Sequence, residues 1–421
     1  MLYRFPVALL HRQCYTPAMN PPPALSMRIS EYVILMAMLM SLVALSIDSI
    51  LPAMILIGEE FAVANANDIQ YIVSFLFFGL TLGQLVSGPL SDTIGRKPVL
   101  YWGIAFFILG SLICAFSQNY TVMLAGRFLQ GFGVAAPRIL TVSITRDLFE
   151  GREMARMMSI IMGVFIFVPV VAPAIGQGIL LIGNWHAIFA VLILWGVIGT
   201  AWAYRRLPET LPVQARRPFN VKSIGRASLE VMRHPISRGY TLCAGFVFAC
   251  LIAFISTAAQ IFQGYYELGE RFPLFFAMGA LSIGVASFTN SAIVRRFGMR
   301  AITHYALLAM LAIAVLTLVV NHLLQSDGFP LTLFMVFLVT SFFCCGLLFG
   351  NMNALAMEPM GHIAGVASAI IGTVSSLISL SIGTFIAQHY HDSPLPIVLG
   401  FAAISVISLL TQWRLRHEPL T

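Results

Sequence analysis

Charge is what this 421-residue sequence has least of: Asp, Glu, Lys and Arg together make up 10% of it, against about 25% in an ordinary soluble domain. With 59% hydrophobic residues, that deficit excludes a soluble fold, which could not hide so much apolar surface. The six cysteines (Cys14, Cys114, Cys243, Cys250, Cys344 and Cys345) have no metal-ligand spacing and fall almost wholly inside apolar runs. They read as small packing residues, and neither redox work nor a disulfide framework is indicated. No nucleophile–base spacing and no phosphate-binding glycine loop is present, which argues against an enzyme. His389 and His391 beside Asp392 read as a solvated loop rather than a metal site. No metal and no cofactor are expected. An export signal is also missing: the apolar patch in "MLYRFPVALLHRQC" is interrupted by His11 and Arg12, and a cleavable signal needs roughly 7 to 15 apolar residues. Pro21, Pro22 and Pro23 mark an extended, disordered tail.

What is present is a series of apolar runs of about 20 residues, the length that crosses ~30 Å of hydrocarbon at 1.5 Å per residue. Hydropathy predicts twelve spans at residues 30–57, 69–91, 98–117, 120–142, 155–181, 185–205, 239–264, 272–294, 301–323, 330–355, 362–388 and 395–413. Arg28, Arg96, Lys97, Arg146, Arg152, Arg156, Arg295, Arg296, Arg300, Arg414 and Arg416 all fall on alternate loops or termini, while Glu59, Glu60, Asp68, Glu267, Glu270, Asp327 and Asp392 collect on the other side with Arg271. By the positive-inside rule both termini are cytoplasmic. The formal charge of +7 therefore reports orientation, and no basic face belongs to a soluble domain that could bind nucleic acid.

The longest polar segment, "RRLPETLPVQARRPFNVKSIGRASLEVMRHPISR", separates spans six and seven. Its stretch from Phe219 to Met232 suits an amphipathic helix on the anionic inner leaflet, or equally a solvated linker whose charges fix topology. The expected division is a tail at 1–28, a six-helix bundle at 29–206, a linker at 207–237, a second bundle at 238–416 and a tail at 417–421. The halves echo one another: aligning Gly95 of "GPLSDTIGRK" with Gly298 of "SAIVRRFGMR" places Arg295 opposite Asp92 and Arg300 opposite Lys97. A parallel repeat of six plus six spans is a transporter architecture, with the substrate near the midplane between halves that rock against each other.

At these residues the chain resembles the major facilitator superfamily, from about Arg28 to Arg416. "GPLSDTIGRKPVL" is similar to the family loop motif G-x-L-x-D-x-x-G-R-[KR], matching at Gly88, Leu90, Asp92, Gly95, Arg96 and Lys97. "RFLQGFGVAA" resembles R-x-x-Q-G-x-G at Arg127, Gln130, Gly131 and Gly133. "GVFIFVPVVAPAIGQ" resembles the proline motif of antiporters, with Ala172 and Gln177 in place of two glycines, and "LSIDSILPAM" and "AMEPMGHIAGVASAI" look like the Bcr/CflA branch of drug exporters. The resemblance implies an all-α membrane protein of twelve transmembrane helices in two pseudo-symmetric bundles. It also implies that Asp92 pairs with the loop arginine and faces the start of span eleven near Gly361 to Ala364, closing the cytoplasmic side in one of two states. In the hairpin, Gly88 and Gly95 are expected where φ is positive or backbones touch.

Three charges lie within spans, and such residues are functional hypotheses by default: Asp48, Arg127 and, nearer the cytoplasm, Arg138. Asp48 and Arg127 lie at overlapping depths, which predicts a shared cavity with a direct pair or a link through substrate or water; a buried pair that only fixes packing is the plainer reading. Arg138 would guide substrate at the mouth or snorkel to lipid phosphate. Met36, Met40, Leu51, Tyr71, Phe75, Phe78, Phe165 and Phe167 are candidate cavity linings, although such side chains also face lipid or neighbouring helices. Pro169 and Pro173 would bend span five and free carbonyls, with Gly163, Gly176 and Gly178 allowing close packing beside the bend.

The function expected is a monomeric, proton-coupled exporter of amphiphilic neutral or anionic small molecules, in a bacterial inner membrane with lipid and protons as its other partners. Export of an endogenous metabolite such as a siderophore, and proton-coupled nutrient uptake, are the alternatives.

Overall fold

A computed structural model describes residues 27–216, 221–324 and 328–415. The N-terminal tail, Arg217, Phe219, Asp327 and Arg416 lie outside them. Twelve helical segments are long and apolar enough to cross a membrane: Ile29–Glu60, Ala66–Ile94, Arg96–Ala115, Tyr120–Leu148, Gly151–Ile182, Trp185–Arg206, Pro235–Tyr265, Gly269–Phe297, Met299–Leu324, Leu331–Ile363, Val366–Gln388 and Leu395–Leu415. They are numbered here as spans one to twelve. Helix is the form that lets each segment satisfy its own backbone in hydrocarbon. Side chains mark several starts: Asn119 accepts from the Val122 amide before span four and Asn184 from the Ala187 amide before span six. The end at which the described residues begin and finish, with the turn at Gly95 between spans two and three, is called the terminal end below, and the opposite one the distal end.

Two spans depart from a plain α-helix. Span one is helical over Ile29–Asp48, passes through a 3₁₀ turn at Leu51–Ala53 and resumes over Met54–Glu60. Pro52 has no N–H, so the carbonyl of Asp48 loses its usual donor at i+4. Span seven ends in a π-helical turn over Gln260–Tyr265, a form often found at functional positions. By contrast, span five runs as one helix through Pro169 and Pro173.

Spans one to six pack mainly on one another, as do seven to twelve, and the halves meet along spans two and eleven and spans five and eight. The linker forms a helix over Val221–Arg233 that packs against spans seven and eleven. Ala227 and Val231 are buried, and Glu230 bonds His362 at 2.6 Å. The linker helix is thus seated on the C-terminal half rather than suspended between the halves.

Candidate functional site

Asp48 occupies the last turn before the break in span one and is 4% exposed. Among the described residues its carboxyl has neither a hydrogen-bond partner nor an ion pair. The neighbouring hydroxyls are engaged elsewhere: Ser46 donates to the carbonyls of Leu42 and Val43, and Ser49 to that of Leu45. A buried carboxyl without a partner is costly when charged, which makes its charge sensitive to whatever enters beside it.

The expected direct pair with Arg127 does not form. The fully buried Arg127 donates to the Ile72 carbonyl at 3.0 Å, the Ser46 carbonyl at 2.9 Å and Gln130 Oε1 at 2.5 Å. Gln130 in turn donates to Ser111 Oγ at 2.8 Å. One arginine and one glutamine therefore fasten spans one, two, three and four, and the described donors of the guanidinium go to two backbone carbonyls and Gln130 rather than to Asp48. Gly131 lets this cluster close, since a Cβ there would collide with the Leu76 carbonyl of span two. Span five reaches the same place through Gly176, where a Cβ would strike the Ser49 carbonyl. Asp48 is thus flanked by the contact between span one and the proline-bearing helix.

The other glycines of span five correct the expectation. A Cβ at Gly163 or Gly178 would meet nothing within 4 Å, so close packing is confined to Gly176. The cavity linings scatter as well. Met40 is 4% exposed and packs with Met36, Leu140, Met157 and Ile161, with Phe165 at the edge of that cluster. Met36 and Leu51 are fully buried, and Phe167 is exposed. Tyr71 and Phe75 stack edge to face, and Phe78 lies 5.5 Å from Phe128. Arg138 is half-buried with no ion pair among the described residues.

At the distal end the halves are joined by residues the sequence did not flag. Asn67 donates to the carbonyls of Gln388 and Tyr390 at 3.0 and 2.8 Å. Gln70 donates to Gln260 Oε1 at 2.6 Å and to the Ala387 carbonyl at 3.0 Å, and Gln260 returns a bond to Asn67 Oδ1 at 3.0 Å. Ser74 and Thr384 meet at 3.0 Å, and Gln263 reaches the Pro52 carbonyl at 3.2 Å. The seal therefore draws on the π-turn of span seven and on the segment just beyond Asp48.

The hairpin at the terminal end makes its described polar contacts inside its own half and the linker. Arg96 bonds Asp92 at 2.5 Å, Ser91 at 2.7 Å and Asp147 at 2.9 Å, and Thr210 donates to Asp147 at 3.0 Å. Glu209 accepts from the amides of Arg96 and Lys97 at 2.9 and 3.0 Å, at the start of the span-three helix where an anion is favoured. Asp92 pairs with Arg96 as the resemblance implies, but its side chain is 52% exposed and forms no described bond to the start of span eleven. Gly95 has φ +109° and Gly298, its counterpart, φ +77°, which supports the repeat. Gly88 differs: it lies within the span-two helix, and a Cβ there would meet nothing within 4 Å.

Comparison with known proteins fits this geometry. The sequence model of the Major Facilitator Superfamily matches residues 36–384. This chain belongs to the Major Facilitator Superfamily. Among its superfamily relatives is a protein named bicyclomycin resistance protein homolog from Haemophilus influenzae, 30% identical over 92% of this chain and 97% of that protein. The multidrug resistance protein MdtL of Escherichia coli O157:H7 is 28% identical over 82% of this chain and 86% of that protein. The superfamily fold is matched by the xylose transporter XylE of E. coli in a partially occluded inward-open conformation, with TM-score 0.70, 14% identity, and 93% and 98% of the two chains covered. A D-xylose–proton symporter superposes with TM-score 0.73 at 13% identity, covering 92% of this chain and 97% of the other. The chain is accordingly a multi-pass membrane transporter and not an enzyme.

Proposed function

We propose that the protein is a proton-coupled antiporter that exports amphiphilic neutral or anionic small molecules across the inner membrane of a bacterium, drug-like compounds among them. The single observation that carries this reading is the buried, unpartnered Asp48 at the interruption of span one, beside the close contact of Gly176 with Ser49. A proton and a substrate compete there. With the site open to an acidic exterior the carboxyl takes a proton and substrate leaves; with it open inward the proton departs and substrate binds. Arg127 holds the helices that frame the site rather than titrating with Asp48. The names of the bicyclomycin and multidrug resistance relatives support export over uptake.

In this reading the terminal end is cytoplasmic and the protein acts as a monomer. Residues 29–206 and 238–416 rock against each other about the linker 207–237. The distal amide seal and the disengaged hairpin correspond to the state that receives substrate from inside, and Asp92 reaches span eleven only in the opposite state. Inverted membrane vesicles test the proposal. A compound panel is scored for gradient-driven accumulation by the parent and by Asp48→Asn. Accumulation that needs the gradient and disappears in the variant is the expected result; accumulation undiminished in Asp48→Asn, or gradient-driven movement in the opposite sense, refutes it.

A further inference from the structure

The second hairpin, at spans eight and nine, is built unlike the first. In the N-terminal half Arg96 is answered by Asp92 and Asp147, and Glu209 caps the amides that follow. Lys97 stands 5.9 Å from the ring centres of both Tyr101 and Tyr204. The register that aligns Gly95 with Gly298 puts Arg300 where Lys97 stands and His304 where Tyr101 stands. Among the described residues no carboxylate pairs with Arg300. Glu358, whose field reaches Tyr240, is exposed and makes no ion pair with it.

Arg300 instead lines a cavity of about 230 Å³ with Tyr240, His304 and Gln412, between spans seven, nine and twelve. Tyr240 and Gln412 are each 5% exposed. The Gln412 amide nitrogen has no hydrogen-bond partner, and the structure describes none for the Tyr240 hydroxyl. The Gln412 amide nitrogen, which has no partner among the described residues, the Tyr240 hydroxyl and the Arg300 cation thus line one cavity at the first turn of the 26-residue helix Met299–Leu324, whose dipole favours an anion.

A second cavity of about 480 Å³ adjoins the first, and Ala301 and Tyr305 line both. It is a groove between spans eight, nine and ten with almost wholly apolar walls, including Phe297, Ile313 and Phe343. From Ala301 to Ile313 it follows the helix for roughly 18 Å, about the depth of one leaflet's hydrocarbon. We propose that these two cavities form a single site for an anionic phospholipid of the inner leaflet. The headgroup phosphate sits on Arg300, Tyr240 and Gln412, and an acyl chain lies in the groove. Basic pockets between spans on the cytoplasmic side suit such headgroups, and the orientation is the one proposed above.

The test uses the full-length protein in detergent. Native mass spectrometry measures retention of phosphatidylglycerol and of phosphatidylcholine with the same chains, and melting temperature follows titration with inorganic phosphate. The parent should retain one phosphatidylglycerol about ten-fold more tightly than phosphatidylcholine, with Arg300→Gln abolishing that preference and Arg300→Lys keeping most of it. Ala309→Phe, which fills the groove, should weaken phosphatidylglycerol while leaving any phosphate response intact. If Arg300→Gln does not fold, Gln412→Leu must reduce the preference in its place. Phosphatidylglycerol binding unchanged in the Arg300 or Gln412 variant that folds overturns the proposal. So does inorganic phosphate protecting as well as the lipid with Ala309→Phe without effect, which identifies a free-anion pocket.

Discussion

At the distal end the two halves meet through uncharged groups, the amides of Asn67, Gln70, Gln260 and Gln388 and the hydroxyls of Ser74 and Thr384. The hairpin at the terminal end keeps its charges within the N-terminal half and the linker, where Arg96, Asp92, Asp147 and Glu209 answer one another. The difference bears on how a rocking transporter opens. A neutral hydrogen bond contributes only about 0.5–1.5 kcal/mol net, because water replaces it when it breaks, so a seal of amides opens at modest cost. Charges that stay paired on either side of the cycle avoid desolvation without a partner. Asp92 is half-exposed and, among the described residues, bonded to Arg96 alone, so it is the hairpin carboxylate held by the fewest contacts.

Substitutions can break this contrast in order of expected effect. Arg127→Ala removes the clamp that ties spans one, two and four, leaving carbonyls of spans one and two and Gln130 unmatched in a low-dielectric interior. A loss of about 3–5 kcal/mol follows, read as a large fall in melting temperature in detergent, with Arg127→Lys intermediate. Gln70→Leu deletes the bonds to Gln260 and the Ala387 carbonyl. It should shift the balance toward opening at the distal end by about 2 kcal/mol, or roughly 30-fold. A cysteine placed by Ser74→Cys would then label faster with a membrane-impermeant maleimide added from the distal side. Gly95→Ala forces a side chain into φ +109° and against Glu209, at a cost of about 1–2 kcal/mol in the same melting assay. Asp92→Asn should change melting by under about 1 kcal/mol, since the group is exposed, while slowing turnover in vesicles because the opposite state loses its clasp. Gly88→Ala, inside a helix with open space around it, should be neutral or slightly stabilising.

Much of this was legible in the sequence. The twelve spans follow from apolar length, and the hairpin from its glycine at Gly95 and its charges. Asp147 and Glu209 carried the same signal as Asp92, an acid among basic loops, and that signal extends to them. The distal seal was not legible. Asn67, Gln70, Gln260 and Gln388 carry no charge to stand out against apolar surroundings, and the bonds between halves join positions 190 to 323 residues apart. Nor does spacing show that Arg127 serves backbone carbonyls, because those carbonyls, of Ser46 and Ile72, lie on two other spans. Aromatic and methionine positions at helical spacing say only that a face is apolar. Packing alone separates the buried Met40 from the exposed Phe78.

The central claim is that one proton resides on Asp48 and gives way to substrate, and it can be measured without a membrane gradient. Purified protein in weakly buffered detergent is mixed with a compound that vesicles accumulate, and a pH indicator follows the solution. The account predicts a stoichiometric acidification for the parent and none for Asp48→Asn at matched occupancy. An equal release of protons by the variant would contradict it.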